Sequence, residues 1–127
     1  MKKIISTPKA PSAIGPYNQA TAFDKLIFTS GQIALDPTTM EIVSGGVQEQ
    51  TFQVMENLKA VLEEAGSSFE NVLKTTCYLS DMDNFVAFNE VYGKYFNAET
   101  APARSTVAVK TLPKNVLVEV DTIAFKN

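Results

Sequence analysis

The stretch VLVEVDTIAF, residues 116–125, decides the predicted fold because it is apolar on both of its faces. Side chains of a β-strand alternate between the two faces of its sheet. Four apolar residues fall on one face and three on the other: Val116, Val118, Val120 and Ala124, against Leu117, Ile123 and Phe125. Helices can cover one such face, and a second copy of the chain is the simplest cover for the other. The sequence alone therefore predicts a homo-oligomer.

The segments before this strand supply two helices and the other strands. Apolar residues at spacings of three and four predict a helix from Val47 to Ala65, which Gly66 would end. A second helix is predicted from about residue 81 to 96, and we interpret its aromatic stripe as core. The other predicted strands are 17–23, 25–33, 72–80 and 101–109, after an irregular entry over 1–16. This order predicts a single α+β domain over residues 1–127 with one sheet.

The composition argues against several classes of function. The 127 residues carry a formal net charge of -3 with a pI of about 4.9, and no Lys/Arg cluster suggests a nucleic-acid partner. No apolar run is long enough to span a membrane, and the first residues lack the apolar core of a signal peptide. The single cysteine, Cys77, cannot form an internal disulfide and suits a reducing compartment, so we expect a cytoplasmic protein.

Histidine is absent from the chain. Its absence removes Ser-His-Asp and Cys-His catalysis and argues against a zinc site. Any acid–base chemistry would have to use carboxylates, tyrosine, lysine, the thiol or bound water. We therefore expect no metal site.

Two charged residues lie on apolar strands and are the first candidates for chemistry. Period-two alternation places Arg104 and Thr106 on one face of the strand APARSTVAV, residues 101–109. If the last strand lies nearby, Glu119 could share a site with Arg104. Spacing alone favours a structural Arg–Glu pair, or a lone arginine at an exposed strand end, because ion pairs are commoner than active sites. The functional alternative is an arginine that binds a carboxylate beside a glutamate that positions water.

Other candidates also have plainer interpretations. Tyr17 in GPYNQA could simply follow a Gly-Pro turn, and Ser30-Gly31 in FTSGQI could be a bulge, although a glycine there can also leave an N–H free for a ligand. Asn89 is a poor helix former that solvent exposure would explain. Cys77 is most simply a small core residue.

Five segments taken together resemble the Rid family, the reactive intermediate deaminases, also called YjgF-type proteins. They occur in the family's order over nearly the whole chain: IGPYNQA, FTSGQI, FVAFNEVYGKYF, APARSTV and LVEVDTIA. The resemblance implies a chorismate-mutase-like fold, with two helices on one face of a single mixed sheet, and a homotrimer with clefts between subunits. It also implies hydrolysis of enamines and imines, such as 2-aminoacrylate, 2-iminobutanoate and 2-iminopropanoate, to 2-oxo acids and ammonia. No cofactor is implied.

The resemblance also assigns roles to the candidate residues. Arg104 would bind the substrate carboxylate, and Glu119 would orient or activate water. Backbone groups near Gly31 and Thr106 would complete the site. Three further side chains would lie in or around the cleft, without the sequence deciding which subunit supplies each: Tyr17, Ser30 and Asn89.

One departure from the family lies two residues after the arginine. Many relatives carry a cysteine there, whereas this chain has Thr106. Because hydrolysis of an imine needs no covalent step, we expect a small polar side chain to suffice.

Two alternatives to the deaminase remain open at this point. The chain could be a non-catalytic protein that binds small 2-oxo acids or regulates amino-acid or purine metabolism, in which case it would need Arg104 but not Glu119. The second alternative is a ribonuclease or translation inhibitor. The negative net charge and the absence of histidine argue against it. We expect no membrane partner.

Overall fold

The computed structural model describes all residues from 1 to 127 and contains one mixed sheet of six strands with two α-helices. In chain order the elements are β1 Lys3–Ile5, β2 Ala20–Phe23, β3 Leu26–Thr29, α1 Val47–Glu64, β4 Val72–Leu79, α2 Phe85–Tyr92, β5 Ala103–Ala108 and β6 Val118–Phe125. Short 3₁₀ turns lie at Phe69–Asn71, Met82–Asn84 and Pro113–Asn115. The strand order in the sheet is β1-β2-β3-β6-β4-β5. Only β4 and β5 are parallel, because α2 carries the chain back across the sheet between them.

The two helices cover one face of the sheet, and the core lies between the layers. The predicted helix over Val47–Ala65 is confirmed, since α1 buries the residues at spacings of three and four. Its buried side chains include Thr51, Val54, Met55, Leu58, Val61 and Leu62. Val118 and Val120 of β6 and Phe88 of α2 meet them with no exposed surface. The α+β class with one sheet and two helices on one face is therefore confirmed.

The opposite face of the sheet has no cover within the chain. The register pairs Leu26 with Phe125 and Phe28 with Ile123, which places these side chains on the same face. Leu26 is 42% exposed, Phe28 43% and Phe125 37%. On β5, Val107 is opposite Tyr78 and belongs to this face as well. We call this surface the open face, and it is the one that the apolar character of β6 predicted.

Several element boundaries differ from the prediction. Residues 3–5, expected to be irregular, form β1 because the outer edge of β2 offers a backbone partner and Ile5 becomes buried. The first predicted strand begins only at Ala20, and the second ends at Thr29. The second helix ends at Tyr92 rather than 96, since the chain turns at Gly93. The ring of Phe96 still packs on that of Tyr92, with centroids 4.9 Å apart, so the aromatic stripe outlasts the helix.

Neither α1 nor α2 combines the length and apolar character that a membrane-crossing helix requires.

Candidate functional site

A break in the pairing of β3 with β6 creates the first part of the site. Beyond Thr29, the backbone N–H of Ser30 donates to the carbonyl of Gln19 at 2.9 Å, and pairing resumes only where Gln32 meets Val120. Gly31 lies in the gap. A Cβ at Gly31 would lie 2.8 Å from Cδ of Glu119, so the absence of a side chain leaves room for that carboxylate. Gly31 therefore allows the Glu119 side chain to approach the backbone closely.

A cavity of about 430 Å³ opens beside this break, and we call it the Glu119 pocket. Its lining includes Tyr17, Ser30, Gly31, Lys114 and Glu119. The pocket thus gathers four of the predicted site residues. Lys114 lies at its edge in the left-handed region, with φ 56°, in the turn that leads into β6. Sequence reasoning did not select Lys114, and only its place in the loop before β6 could have suggested it.

Buried Gln19 anchors the segment that carries Tyr17. Its side-chain amide donates to the carbonyls of Thr7, Ala10 and Pro11, and its Oε1 accepts from the N–H of Thr7 at 2.7 Å. These hydrogen bonds hold the irregular segment against the start of β2. As a result, the wall of the Glu119 pocket next to Tyr17 is tied to the sheet.

The electrostatic environment of Glu119 favours its protonated form. Burial of this half-buried side chain, and then the nearby Asp121 carboxylate, raise the pKa of Glu119 above its ordinary value of 4.5. Asp121 itself accepts a hydrogen bond from the hydroxyl of Tyr78 at 3.2 Å. A carboxyl group with a raised pKa is suited to exchanging protons with a bound reactant near neutral pH.

The second part of the site is centred on Arg104 of β5, which is exposed. Its Nη1 donates to Oδ1 of Asn89 at 2.6 Å. Its Cζ lies 4.8 Å from the ring centroid of Tyr92 and 5.4 Å from that of Phe85. Cation–π contacts of this kind contribute about 0.5–2 kcal/mol each. Asn89 and the two rings therefore hold the guanidinium while most of its N–H groups stay free for a ligand.

A layer of hydroxyl and thiol groups lies beneath Arg104. The hydroxyls of Thr75 and Tyr92 are 2.8 Å apart and hydrogen-bonded. Thr106 is opposite Cys77, and its buried Oγ1 has no hydrogen-bond partner within the chain. Burial raises the pKa of Cys77 to about 11, so its thiol stays protonated at neutral pH. The absence of exposed surface on Cys77 agrees with its interpretation as a core residue.

Arg104 and Glu119 lie on opposite faces of the sheet. Arg104 is opposite Thr75 and points towards the helices, whereas Glu119 is opposite Tyr78 and points to the open face. Two strand spacings and three residues of rise separate their Cα atoms, or about 14 Å in all. A structural Arg104–Glu119 pair within the chain is therefore wrong. Instead the chain holds two half-sites: Asn89 and Thr106 accompany Arg104, while Tyr17, Ser30 and Gly31 accompany Glu119.

Phe85 and Tyr92 are contacts of Arg104 that the sequence did not identify as part of a site. Both belong to the aromatic stripe that the helical spacing assigned to the core, and Tyr92 is indeed buried. The signal was their position four residues before and three after Asn89, which places all three on one side of α2.

A family model described as "Endoribonuclease L-PSP" matches residues 7–126 of the chain. The chain belongs to the YjgF/Rid family. A RutC family protein of Synechocystis is 58% identical over 96% of this chain and 95% of its own length. A mouse relative named 2-iminobutanoate/2-iminopropanoate deaminase is 47% identical over 99% of this chain and 93% of its own.

Solved structures of YjgF/Rid proteins share the fold over the full chain. Escherichia coli TdcF with bound serine aligns with a TM-score of 0.91 and 42% identity, covering 98% of this chain and 99% of that one. The resemblance of the five sequence segments to the Rid family is therefore confirmed.

Proposed function

We propose that this YjgF/Rid protein hydrolyses reactive enamines and imines of the 2-aminoacrylate, 2-iminobutanoate and 2-iminopropanoate type to 2-oxo acids and ammonia. The observation that carries the proposal is the exposed guanidinium of Arg104, held by Asn89 and two rings with most of its donors free. A planar fork of this kind matches a carboxylate bidentately. The name of the mouse relative supports the same substrate class.

The complete site would form between two copies of the chain. A small 2-imino acid cannot reach both half-sites of one chain, because about 14 Å and the thickness of the sheet separate Arg104 from Glu119. The apolar open face needs a cover, and a second copy that covers it can bring its own half-site to the cleft. We propose a homotrimer, a closed ring in which Arg104 of one subunit faces Glu119 of the next in each of three clefts.

The proposed reaction adds water to the imine carbon. Water forms a bond to C2 while the imine nitrogen takes a proton, giving a carbinolamine. The carbinolamine then releases ammonia as the hydroxyl oxygen loses its proton and the C=O bond forms. An enamine substrate first takes a proton at its CH₂ carbon to become the imine, and no step changes the oxidation state overall. Glu119, whose pKa is raised, would orient the water and pass protons between oxygen and nitrogen.

Thr106 fits this reaction although many relatives carry cysteine at its position. No step needs a nucleophilic side chain, since water is the only group that adds to C2. The unpartnered Oγ1 of Thr106 supplies a donor beside Arg104. Arg104 itself would contribute orientation, at about 1.5–3 kcal/mol for each charged hydrogen bond to the carboxylate.

A coupled assay tests the reaction. A serine or threonine dehydratase would generate the enamine, and the appearance of 2-oxo acid would be followed with and without this protein. We expect acceleration by the wild type and by two surface controls, Glu64→Ala and Lys94→Ala, whose side chains are exposed. Arg104→Ala and Glu119→Ala should each abolish the acceleration. No acceleration by a folded oligomer would refute the proposal. If that oligomer still bound 2-oxobutanoate through Arg104, the result would favour the alternative of a non-catalytic binding protein.

Mixed oligomers test whether the cleft is shared. Arg104→Ala and Glu119→Ala chains, unfolded and refolded together, should form clefts in which the intact arginine comes from one variant and the intact glutamate from the other. Random assembly would restore about one quarter of the wild-type activity. Refolding each variant alone is the control and should give none. Absence of activity in the refolded mixture would contradict a site shared between copies.

Two further aspects belong to the same proposal. A reducing cytoplasm suits the single buried thiol of Cys77. The description of the family model refers to an endoribonuclease, but the net charge of -3 and the absence of histidine weigh against RNA cleavage by this chain.

A further inference from the structure

The ring of Tyr92 is the nearest aromatic support of Arg104, at 4.8 Å from Cζ to the ring centroid. Its hydroxyl forms a hydrogen bond with the hydroxyl of Thr75, and the two oxygens are 2.8 Å apart. We propose that Tyr92, held by Thr75, is a positioning residue that fixes the plane of the Arg104 guanidinium for the substrate carboxylate. The inference rests on the proposed function and extends it to two residues that do not contact the substrate.

Tyr92 is held on several sides, which makes it a rigid support. Its ring packs against Phe88 with centroids 5.4 Å apart and against Phe96 at 4.9 Å. Only 6% of the residue is exposed. The hydrogen bond to Thr75 joins α2 to β4 and prevents the ring from sliding along the sheet. An aromatic ring fixed in this way defines one side of the space that Arg104 can occupy.

Arg104 needs such a support because its side chain is exposed and has many rotamers. Exposed long side chains lose substantial conformational entropy when a ligand orders them. Asn89 restrains one nitrogen of the guanidinium at 2.6 Å, which fixes a point but not a plane. The ring of Tyr92, 4.8 Å from Cζ and thus closer than the ring of Phe85 at 5.4 Å, supplies the second restraint. With both in place, the fork is oriented before a carboxylate arrives.

Packing alone does not explain the two buried hydroxyls. Phenylalanine and valine would fill the same volumes as Tyr92 and Thr75 without burying polar groups, and burial of a hydroxyl is unfavourable unless it is bonded. Two neighbours of Tyr92 in the same cluster, Phe88 and Phe96, are in fact phenylalanines. The hydroxyl pair therefore serves the orientation of the ring rather than the filling of the core.

Two measurements on the intact oligomer test the inference. The first is the NMR order parameter of the Arg104 Nε–H bond, assigned by its loss in Arg104→Lys. The second is the affinity for 2-oxobutanoate by calorimetry. In Tyr92→Leu we expect the order parameter to fall from a rigid value to below about 0.6, and the affinity to fall about tenfold. Tyr92→Phe and Thr75→Val each leave an aromatic ring at position 92, and each should lower the affinity about two- to fivefold.

Two comparisons separate positioning from general damage. Phe96→Leu removes a ring that packs against Tyr92 and not against Arg104, and should lower stability while keeping the affinity within about twofold. In the Arg104→Lys background, Tyr92→Leu should change the affinity less than about twofold, because an ammonium has no plane to orient. Combining Tyr92→Phe with Thr75→Val should lower the affinity no more than either substitution alone, because both remove the same hydrogen bond.

Each result has a definite meaning. An unchanged order parameter in Tyr92→Leu, or an equal loss of affinity in the Arg104 and Arg104→Lys backgrounds, would overturn the positioning role. If the wild type failed to bind 2-oxobutanoate, the coupled assay would still decide the proposed function, and the order parameters would still decide whether Tyr92 orients Arg104.

Discussion

Replacing Gly31 with alanine should inactivate the protein while leaving its fold intact. Gly31 has no positive φ, so its backbone accepts alanine without strain. The obstacle is a side chain, because the added Cβ would lie 2.8 Å from Cδ and 3.0 Å from Cγ of Glu119. Both atoms belong to a flexible, half-buried side chain that can rotate away. The substitution therefore displaces the carboxylate rather than the backbone.

The size of the effect follows from these distances. Carbon atoms in contact lie about 3.5–4.0 Å apart, so Glu119 must move by about 0.7–1.2 Å. A displacement of about 1 Å in a catalytic group can lower the rate about 100-fold, and we expect kcat/KM to fall about 10- to 100-fold. The change in stability should be small. Loss of chain freedom in the unfolded state stabilises by about 0.4–1 kcal/mol, and a rotamer shift of Glu119 costs about 0.5–1.5 kcal/mol.

The assay compares kcat/KM and thermal melting for the wild type, Gly31→Ala and Gly15→Ala. Gly15→Ala is the matched control, since its Cβ would meet the ring of Tyr17 at an ordinary 3.6 Å. It should retain activity.

Two results would refute this reasoning. Wild-type kcat/KM in Gly31→Ala would show that the position of the Glu119 carboxylate does not matter. A melting temperature more than about 8 °C below the wild type would mean that the backbone, rather than the glutamate, had absorbed the clash.

Three further predictions concern protonation and the buried polar groups. Because burial and Asp121 raise the pKa of Glu119, the folded chain binds this proton more tightly than the unfolded chain, and stability is lost as pH rises through the raised pKa. Glu119→Gln should therefore melt above the wild type at pH 7 but not at about pH 4, and an equal difference at both would contradict the shift. Cys77, with a pKa of about 11 and no exposed surface, should resist a disulfide reagent at about pH 8 until the chain is unfolded; rapid native labelling would contradict its burial. Gln19→Leu should destabilise by about 2–3 kcal/mol in denaturant titrations and speed proteolysis before Tyr17, since buried backbone groups lose their partners; unchanged proteolysis would show that other contacts hold the segment.

The sequence predicted the long, periodic elements better than the short ones. The helix over Val47–Ala65 has enough turns for its spacing to be unambiguous. Residues 3–5 are too few to show a period, and their strand exists because β2 has a free edge, which no local pattern reports. The aromatic stripe continued past Tyr92, so spacing overestimated the second helix, although Phe96 does reach the core from the turn.

The residues of the candidate site were easier to identify than their arrangement. Alternation along one strand correctly predicted that Arg104 and Thr106 share a face. It could not relate Arg104 to Glu119, since that relation depends on the strand order β6-β4-β5 and on the register of β4 with each of its neighbours. Tyr92 was missed because a buried aromatic looks the same in sequence whether or not an arginine lies on its ring.

Because β5 is an edge strand of the sheet, the charge of Arg104 has a second effect, on aggregation. The outer row of backbone groups of β5 has no partner strand within the chain. Edge strands of this kind are templates for aggregation, and charged side chains along them are a common protection. Before the proposed assembly, a newly synthesised chain exposes both this edge and the apolar open face. At this stage the positive charge of Arg104 would oppose pairing of the edge with another chain. Arg104 would therefore favour solubility before any cleft has formed.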